Sequence, residues 1–488
     1  MTVITLILSK ASARLADITA FITTLATAVL SFGLIGQSSN VYWMGNWFPP
    51  FGITLVYDGL TGLMLLIINV IAFLTIIYSL SYMEKYTAKP KFYALFLLML
   101  AGMNGVVLTG DLFNLFVFLE IASIASYALV GFGVEHKELE ASFKYLILGS
   151  VASTMILLGI ALTYSMTGSL NMADIASTLS AMPAKTTMAF AAGVFIMGFA
   201  LKAGLVPFHA WLPDAHPSAP APISAMLSGV LIKALGVYAM VRVMFNVLGA
   251  APAFQEIMMV LGAISMVIGG LLAVGQWDMK RMFAYSSISQ IGYIFVALGL
   301  GTDLGILAGL FHLMNHSVFK SLLFLSTGSI EHATGTKNLR KLGGLSQKMP
   351  VTSTTTAIGA LSISGVPPFN GFFSKLLIII ACIAAGRWFL GILAAGVSVV
   401  TLIYFLKAMR FSLFGELPTA LAKIKEIPFP MAFSVITLAV ICLGTGIAYL
   451  IAGSTFTGIF LRPATDALMD GLKNGSSNYI ATVLGIGG

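Results

Sequence analysis

Runs of about twenty apolar residues recur from one end of this chain to the other, and no other feature limits its folding so strongly. Thirteen long apolar segments can be marked, near 15–36, 54–81, 91–110, 111–133, 143–168, 187–212, 221–246, 254–275, 282–301, 303–327, 354–383, 386–412 and 429–453. Residues 2–9 form a stub of one more, short for a hydrocarbon core about 30 Å thick. Of 488 residues, 58% are apolar and 9% charged, whereas soluble domains carry about 25% charged residues. Such a chain cannot cover a water-facing surface, which excludes a soluble enzyme and a disordered protein. The sequence predicts an all-α polytopic membrane protein of about fourteen transmembrane helices.

Charge sets the expected orientation. With the stub counted as helix one, sixteen basic residues follow odd-numbered helices, among them Lys85, Lys89, Lys137, Lys280, Arg281, Lys337 and Lys348. The opposite side holds five, Lys185, Arg242, Arg387, Arg462 and Lys473. The bias places the first set in the cytoplasm and both termini outside. The net charge of +8 is spread over short loops, so no nucleic-acid partner is expected. Cys382 and Cys442 both lie in apolar runs, too few thiolates for an iron–sulfur cluster. With no nucleotide-binding glycine loop or zinc-protease motif, no cofactor and no metal are expected.

Five basic residues remain, inside apolar segments: Lys202, Lys233, Lys320, Lys375 and Lys407. Glu120 is the acidic residue deep in a span. A lysine at the bilayer centre costs at least about 2.5–3.5 kcal/mol, and such charges usually face a bundle interior or a hydrated cavity. Two structural readings compete with ion handling. The lysines could snorkel to headgroups, most readily Lys407 beside Arg410, or a Glu120–lysine pair could merely lock helices together.

Helix breaks fall beside two of these lysines. Lys202 is followed by Pro207, Pro213, Pro217, Pro220 and Pro222, and Lys375 is preceded by Gly365, Pro367, Pro368 and Gly371. Prolines remove backbone hydrogen bonds, and paired Gly/Pro-interrupted spans mark transport sites; an ordinary packed kink is the alternative for each. Spacing suggests two five-helix units, near 91–246 and 254–412, the second inverted because five is odd. Residues 1–90 would be N-terminal helices and 413–488 the last helix and a tail, all in one membrane domain.

His312, His316 and Lys320 recur at four-residue steps, near one helix face. Histidine titrates near neutrality, and burial makes a lysine readier to release its proton, so this stripe can pass protons through water. Two histidines could instead ligate a metal, though no neighbouring Cys, Asp or Glu completes a set, or sit as hydrogen-bonded core residues. His209 and His216 beside the first break suit capping or gating. His136 and His332 read as solvated, and Asp278, Lys280 and Arg281 as an interfacial anchor.

The stretches DLFNLFVFLEIASIASYALVGFG, LKAGLVPFHAWLPDAHPSAPAPISAMLSGVLIKALGVYAMVR, DMKRMFAYSSISQIGY, FHLMNHSVFKSLLFLSTGSI and SGVPPFNGFFSKLLII run in order over residues 55–415. In these the chain resembles the antiporter-like membrane subunits of respiratory complex I, membrane-bound hydrogenase-type complexes and Mrp sodium/proton antiporters. The resemblance implies fourteen helices, two inverted five-helix repeats, and broken helices seven and twelve. It implies that Glu120 pairs with Lys202, that Lys233, His312, His316 and Lys320 form a central axis, and that Lys375 ends the second half-channel. It implies partners too: other membrane subunits, further antiporter-like ones among them, with a soluble redox arm as a candidate. A short tail where distal members carry a long lateral helix makes the Mrp D-type the nearest match. The expected activity is proton translocation by a subunit without redox chemistry of its own. A self-sufficient cation/proton exchanger and an inactive scaffold are the rival classes.

Overall fold

The computed structural model describes residues 1–9, 12–182, 186–249 and 251–485; Lys185, used above for orientation, lies outside them. Helices dominate. The first ones are α1 (Thr2–Ser9), α2 (Ala13–Gly33), α3 (Gly59–Tyr82), α4 (Lys89–Leu108), α5 (Leu112–Val130) and α6 (His136–Thr167). Between α2 and α3 stands a hairpin the apolar pattern does not announce. In it β1 (Asn40–Trp43) pairs antiparallel with β2 (Thr54–Tyr57), Asn40 opposite Tyr57. Among the described residues, eleven helices are long and apolar enough to cross a membrane.

The sixth long apolar segment, the seventh helix with the stub counted, divides into α8 (Thr186–Ala203) and α9 (Leu212–Ser218), after the short amphipathic α7 (Met172–Ser180). Gly204, at φ +72°, ends α8: its N–H reaches the Leu201 carbonyl at 3.1 Å and that of Leu205 the Ala200 carbonyl at 3.0 Å. This paired closure is the Schellman motif, which glycine permits because it lacks a Cβ. The same closure recurs where α15 (Pro350–Ser364) gives way to α16 (Asn370–Ala384), with Gly365 at φ +79°. Lys202 precedes its break, whereas Lys375 follows its own, so the two lysines sit on opposite arms of their broken helices.

Ala221–Val247 forms one span. It starts as α10 (Ala221–Met226), passes α11 (Ala239–Val241), and is π-helical over Leu227–Leu231, Lys233–Tyr238 and Arg242–Val247. All of it is buried. Then come α12 (Pro252–Val274), α13 (Met279–Gly299), α14 (Asp303–Thr334), α17 (Trp388–Ser412) and α18 (Phe429–Phe460). The tail, read from sequence only as a short one after the last helix, folds into α19 (Arg462–Asn474) and α20 (Ser477–Leu484), which pack on α3 and α7.

Features of α5–α6 reappear 167 residues later in α13–α14. Asp111 caps α5 and Asp278 caps α13, each accepting a backbone N–H three residues on. Both α6 and α14 span 32 residues and end at a glycine with φ +71°, Gly168 and Gly335. Asp111 bridges to Asn171 as Asp278 bridges to Asn338.

Candidate functional site

Glu120 on α5 and Lys202 at the end of α8 come together, Nζ to Oε1 at 3.6 Å. The lysine side chain is 3% exposed and the carboxylate 27%. Lys202 also donates to Ser123 Oγ at 2.9 Å and Tyr127 Oη at 3.4 Å, while Ser153 on α6 donates to Glu120. A charge pair with supporting hydroxyls satisfies donors that would otherwise be stranded in hydrocarbon.

The central groups are fully buried. Lys233 donates to the Ser228 carbonyl on its own helix, and Lys320 donates to the Phe283 carbonyl at 2.7 Å. His312 bridges two helices, with Nε2 at 3.1 Å from Gln290 Oε1 on α13 and Nδ1 at 3.0 Å from Ser374 Oγ on α16. His316 has no hydrogen-bond partner for either ring nitrogen among the described residues. Lys375 follows Ser374, donates to Ser398 Oγ at 3.3 Å, and lies 5.0 Å from the Tyr293 ring centre. Lys202, Lys233, Lys320 and Lys375 are thus enclosed by protein, which removes the snorkelling reading for them. Among the described residues no three or more His, Cys, Asp or Glu side chains are grouped to hold a metal ion.

Lys407 is different. Its ammonium donates at 2.8 Å to the carbonyls of Val274 and Gln276, closing the end of α12, and lies 4.0 Å from the centre of the Trp277 ring. That is a basic residue satisfying helix C-terminal carbonyls. Lys407→Met is expected to cost about 1–2 kcal/mol of stability and to leave proton movement at the parental rate. Melting of the purified complex and a vesicle acidification assay check the two halves.

Two expectations need correction. Lys280 is no interfacial anchor: it is 2% exposed, pairs with Glu331 Oε2 at 2.8 Å, and donates to the Ala219 carbonyl at 3.1 Å. Lys337 meets the same carboxylate at 3.6 Å and donates to the Pro217 carbonyl. Burial first, then the Lys280 charge, pull the Lys337 amine below its usual range. Together the two lysines hold the end of α9 at a cavity of about 650 Å³ lined by Lys85, Glu138, Asp214 and Arg281 among others. Arg242, counted as an exterior loop charge, is buried and bidentate on Asp58, at 2.7 and 2.8 Å. His332 is exposed as expected, its ring 6.2 Å from that of Tyr82. His216 is fully buried against Phe324, with neither nitrogen bonded; His209 is half-buried, and His136 is exposed as expected.

Sequence reasoning also missed the face of α13. Phe283 holds Lys320, Ser287 bonds Ser228 at 2.7 Å beneath Lys233, Gln290 holds His312, and the Tyr293 ring faces Lys375. Positions 283, 287, 290 and 293 share one helix face. Ser287 and Gln290, non-ionisable polar residues at helical spacing in a buried span, were the available signal.

Residues 109–401 match the family described as NADH:quinone oxidoreductase/Mrp antiporter, TM, and residues 47–93 the complex I chain 5 N-terminus. The chain belongs to this antiporter-like family of membrane subunits. It is 37% identical to NADH-quinone oxidoreductase subunit N of Desulforudis audaxviator, over 84% of each chain. Against the D-type Na(+)/H(+) antiporter protein of Alkalihalophilus pseudofirmus the identity is 35%, over 80% of each. Among solved structures, a chain of the Mrp complex from Dietzia sp. DQ12-45-1b superposes with a TM-score of 0.88 at 27% identity, covering 99% of this chain and 98% of that one. The chain is a membrane-spanning member of a family built into multisubunit membrane complexes.

Proposed function

We infer that this subunit moves protons along Glu120, Lys202, Lys233, His312, His316, Lys320 and Lys375, driven by its neighbours in a multisubunit membrane complex. One observation carries the reading. A partly exposed carboxylate on the outer wall of α5 neutralises an interior lysine, and further buried bases lead from there to Lys375. A neighbouring subunit that draws Glu120 outwards leaves Lys202 charged in a medium of low dielectric. The ammonium then gives up its proton to the axis, and return of Glu120 resets the pair. The Gly204 and Gly365 breaks let water reach the axis without baring backbone to lipid.

A count of fourteen is supported by taking α1, α14 and the broken α15–α16 as spans beside the eleven long apolar ones. The 167-residue recurrence of caps, bridges and helix lengths supports two repeated units, and their odd helix number supports inversion. Charge alternation puts the Lys85–Glu331 end in the cytoplasm and the chain termini outside.

The test is to tag the chain, extract it gently from native membranes and identify copurifying proteins by mass spectrometry. Soluble subunits bearing redox cofactors are expected for a redox-driven complex, and small membrane subunits alone for an Mrp-type exchanger. A chain that purifies alone, monodisperse and active in transport, overturns the subunit reading.

A further inference from the structure

Gln290 lies among the ionisable groups of the axis without being one of them, and its place decides what His312 can do. The amide presents Oε1 to His312 Nε2 at 3.1 Å. An amide oxygen has no hydrogen to give, so the neutral ring must hold its hydrogen on Nε2. The lone pair is then on Nδ1, 3.0 Å from Ser374 Oγ. Ser374 is the residue before Lys375, and its hydroxyl has other acceptors, the carbonyls of Gly371 at 3.3 Å and Asn370 at 3.5 Å.

We propose that Gln290 is a positioning residue that fixes the tautomer of His312, so that the ring takes up and releases its proton only through Nδ1, on the Ser374–Lys375 side. The inference rests on the proton-transfer reading above. In the neutral ring, Ser374 donates its hydroxyl hydrogen to Nδ1. When a proton arrives from a lysine ammonium through water, the N–H bond forms at Nδ1 and the lysine is left a neutral amine. Ser374 then turns its hydrogen to the Gly371 carbonyl and accepts from Nδ1–H. Release to Lys375 breaks that same bond and restores the first arrangement. Passage through the ring, in at one nitrogen and out at the other, is closed, because the amide at Nε2 offers no route onward. His312 is therefore a turnstile beside Lys375.

The repeated architecture supports the assignment independently. Gln290 lies 167 residues after Ser123, the offset that relates Asp111 to Asp278 and Gly168 to Gly335. Ser123 Oγ accepts from Lys202 in the first half as Gln290 Oε1 accepts from His312 in the second. In both, a non-titrating group at the same helical position holds an ionisable one. The charged groups that reach His312 are Lys375 on α16 and Lys233 on the Ala221–Val247 span. Tyr293 on α13 lies 5.7 Å from it, ring to ring, and His316 on its own helix 6.3 Å.

The experiment uses everted vesicles containing the whole complex. Interior acidification is followed with a ΔpH-sensitive dye across a pH series and driven by the electron donor or sodium gradient that copurification assigns. Gln290→Met keeps the volume and removes the acceptor; the expected loss in rate is about tenfold, the equivalent of one hydrogen bond. Gln290→Glu keeps an acceptor at Nε2 and adds a charge that favours the imidazolium, so its pH profile is expected to move upwards by about one unit or more. A parental rate and profile in both variants overturns the proposal. Equal losses in both with an unmoved profile also overturn it, since packing alone would give that. If Gln290→Met fails to assemble, the profile of Gln290→Glu carries the test. Lys375→Met in the same preparation separates the two readings. If it is inactive while the Gln290 variants behave as parent, only the tautomer assignment falls; if it too pumps normally, the axis itself is wrong.

Discussion

Glu120→Gln is expected to stop coupled proton movement while the complex still assembles. At 3.6 Å and an effective dielectric of about 20, the carboxylate stabilises the Lys202 ammonium by about 5 kcal/mol. Glutamine keeps the shape and the acceptor for Ser153 but removes that charge. Lys202 then no longer alternates between a paired and an unpaired state, so movement of Glu120 has nothing to act on. A fall of at least about tenfold is expected, since 1.4 kcal/mol already equals a factor of ten and the pair is worth more. Lys202→Ala should behave alike, because it removes the group that Glu120 controls. Assembly is checked by the copurifying subunits and the rate by dye quenching in the same vesicles. Full pumping in both variants would sink the scheme and favour a structural Glu120–Lys202 lock.

The second large effect concerns stability. Arg242 is enclosed with all five guanidinium hydrogens directed to partners. Asp58 accepts at 2.7 and 2.8 Å, Asn246 at 3.2 Å, Thr61 at 3.3 Å and Tyr238 at 3.4 Å. Asp58 in turn caps α3, accepting the Thr61 N–H at 2.9 Å. Burial by itself would raise the Asp58 carboxyl, but the adjacent guanidinium outweighs it and holds the group below its usual range. The sign follows from that direction. A carboxyl depressed by folding contributes stability that is full above the unfolded value of about 4 and is lost only as pH falls through the lower folded value. The pair therefore persists at every physiological pH. Asp58→Asn leaves the guanidinium buried without a countercharge and is expected to cost about 3–5 kcal/mol. Arg242→Met strands the carboxylate at similar cost. The double variant should recover much of the loss, because replacing both charges by neutral groups removes the desolvation cost along with the attraction. Melting curves of the purified complex decide it. Single variants as stable as the parent, or a double variant no better than either, would show that the pair does not hold this end of the bundle.

Some of this was legible in residue order and some was not. Membrane span and helix type follow from runs of apolar residues, since hydrocarbon admits only backbone that satisfies its own hydrogen bonds. The ionisable residues of the axis stood out for the same reason: a charge in a span is costly enough to be conspicuous wherever it sits. The break at Gly204 and that at Gly365 were announced by glycine and proline, whose effect on the backbone is local. The hairpin Asn40–Tyr57 and the helices α19 and α20 were not, being short and held by contacts with distant residues such as that of Trp43 with the Val483 carbonyl.

Partner choice belongs to the tertiary structure. Arg242 and Lys280 read as loop charges because each lies at a span end; only packing shows that Asp58 and Glu331 meet them across 184 and 51 residues of chain. Lys407, set apart in sequence only by its nearness to Arg410, closes a helix end, whereas Lys375 lies beside the axis. The polar face of α13 is faint in sequence, because serine and glutamine cost little in a span and so carry little signal. Sequence records what each residue costs in the membrane. Which neighbour offsets that cost is a matter of distances between helices, and those exist only once the bundle has closed.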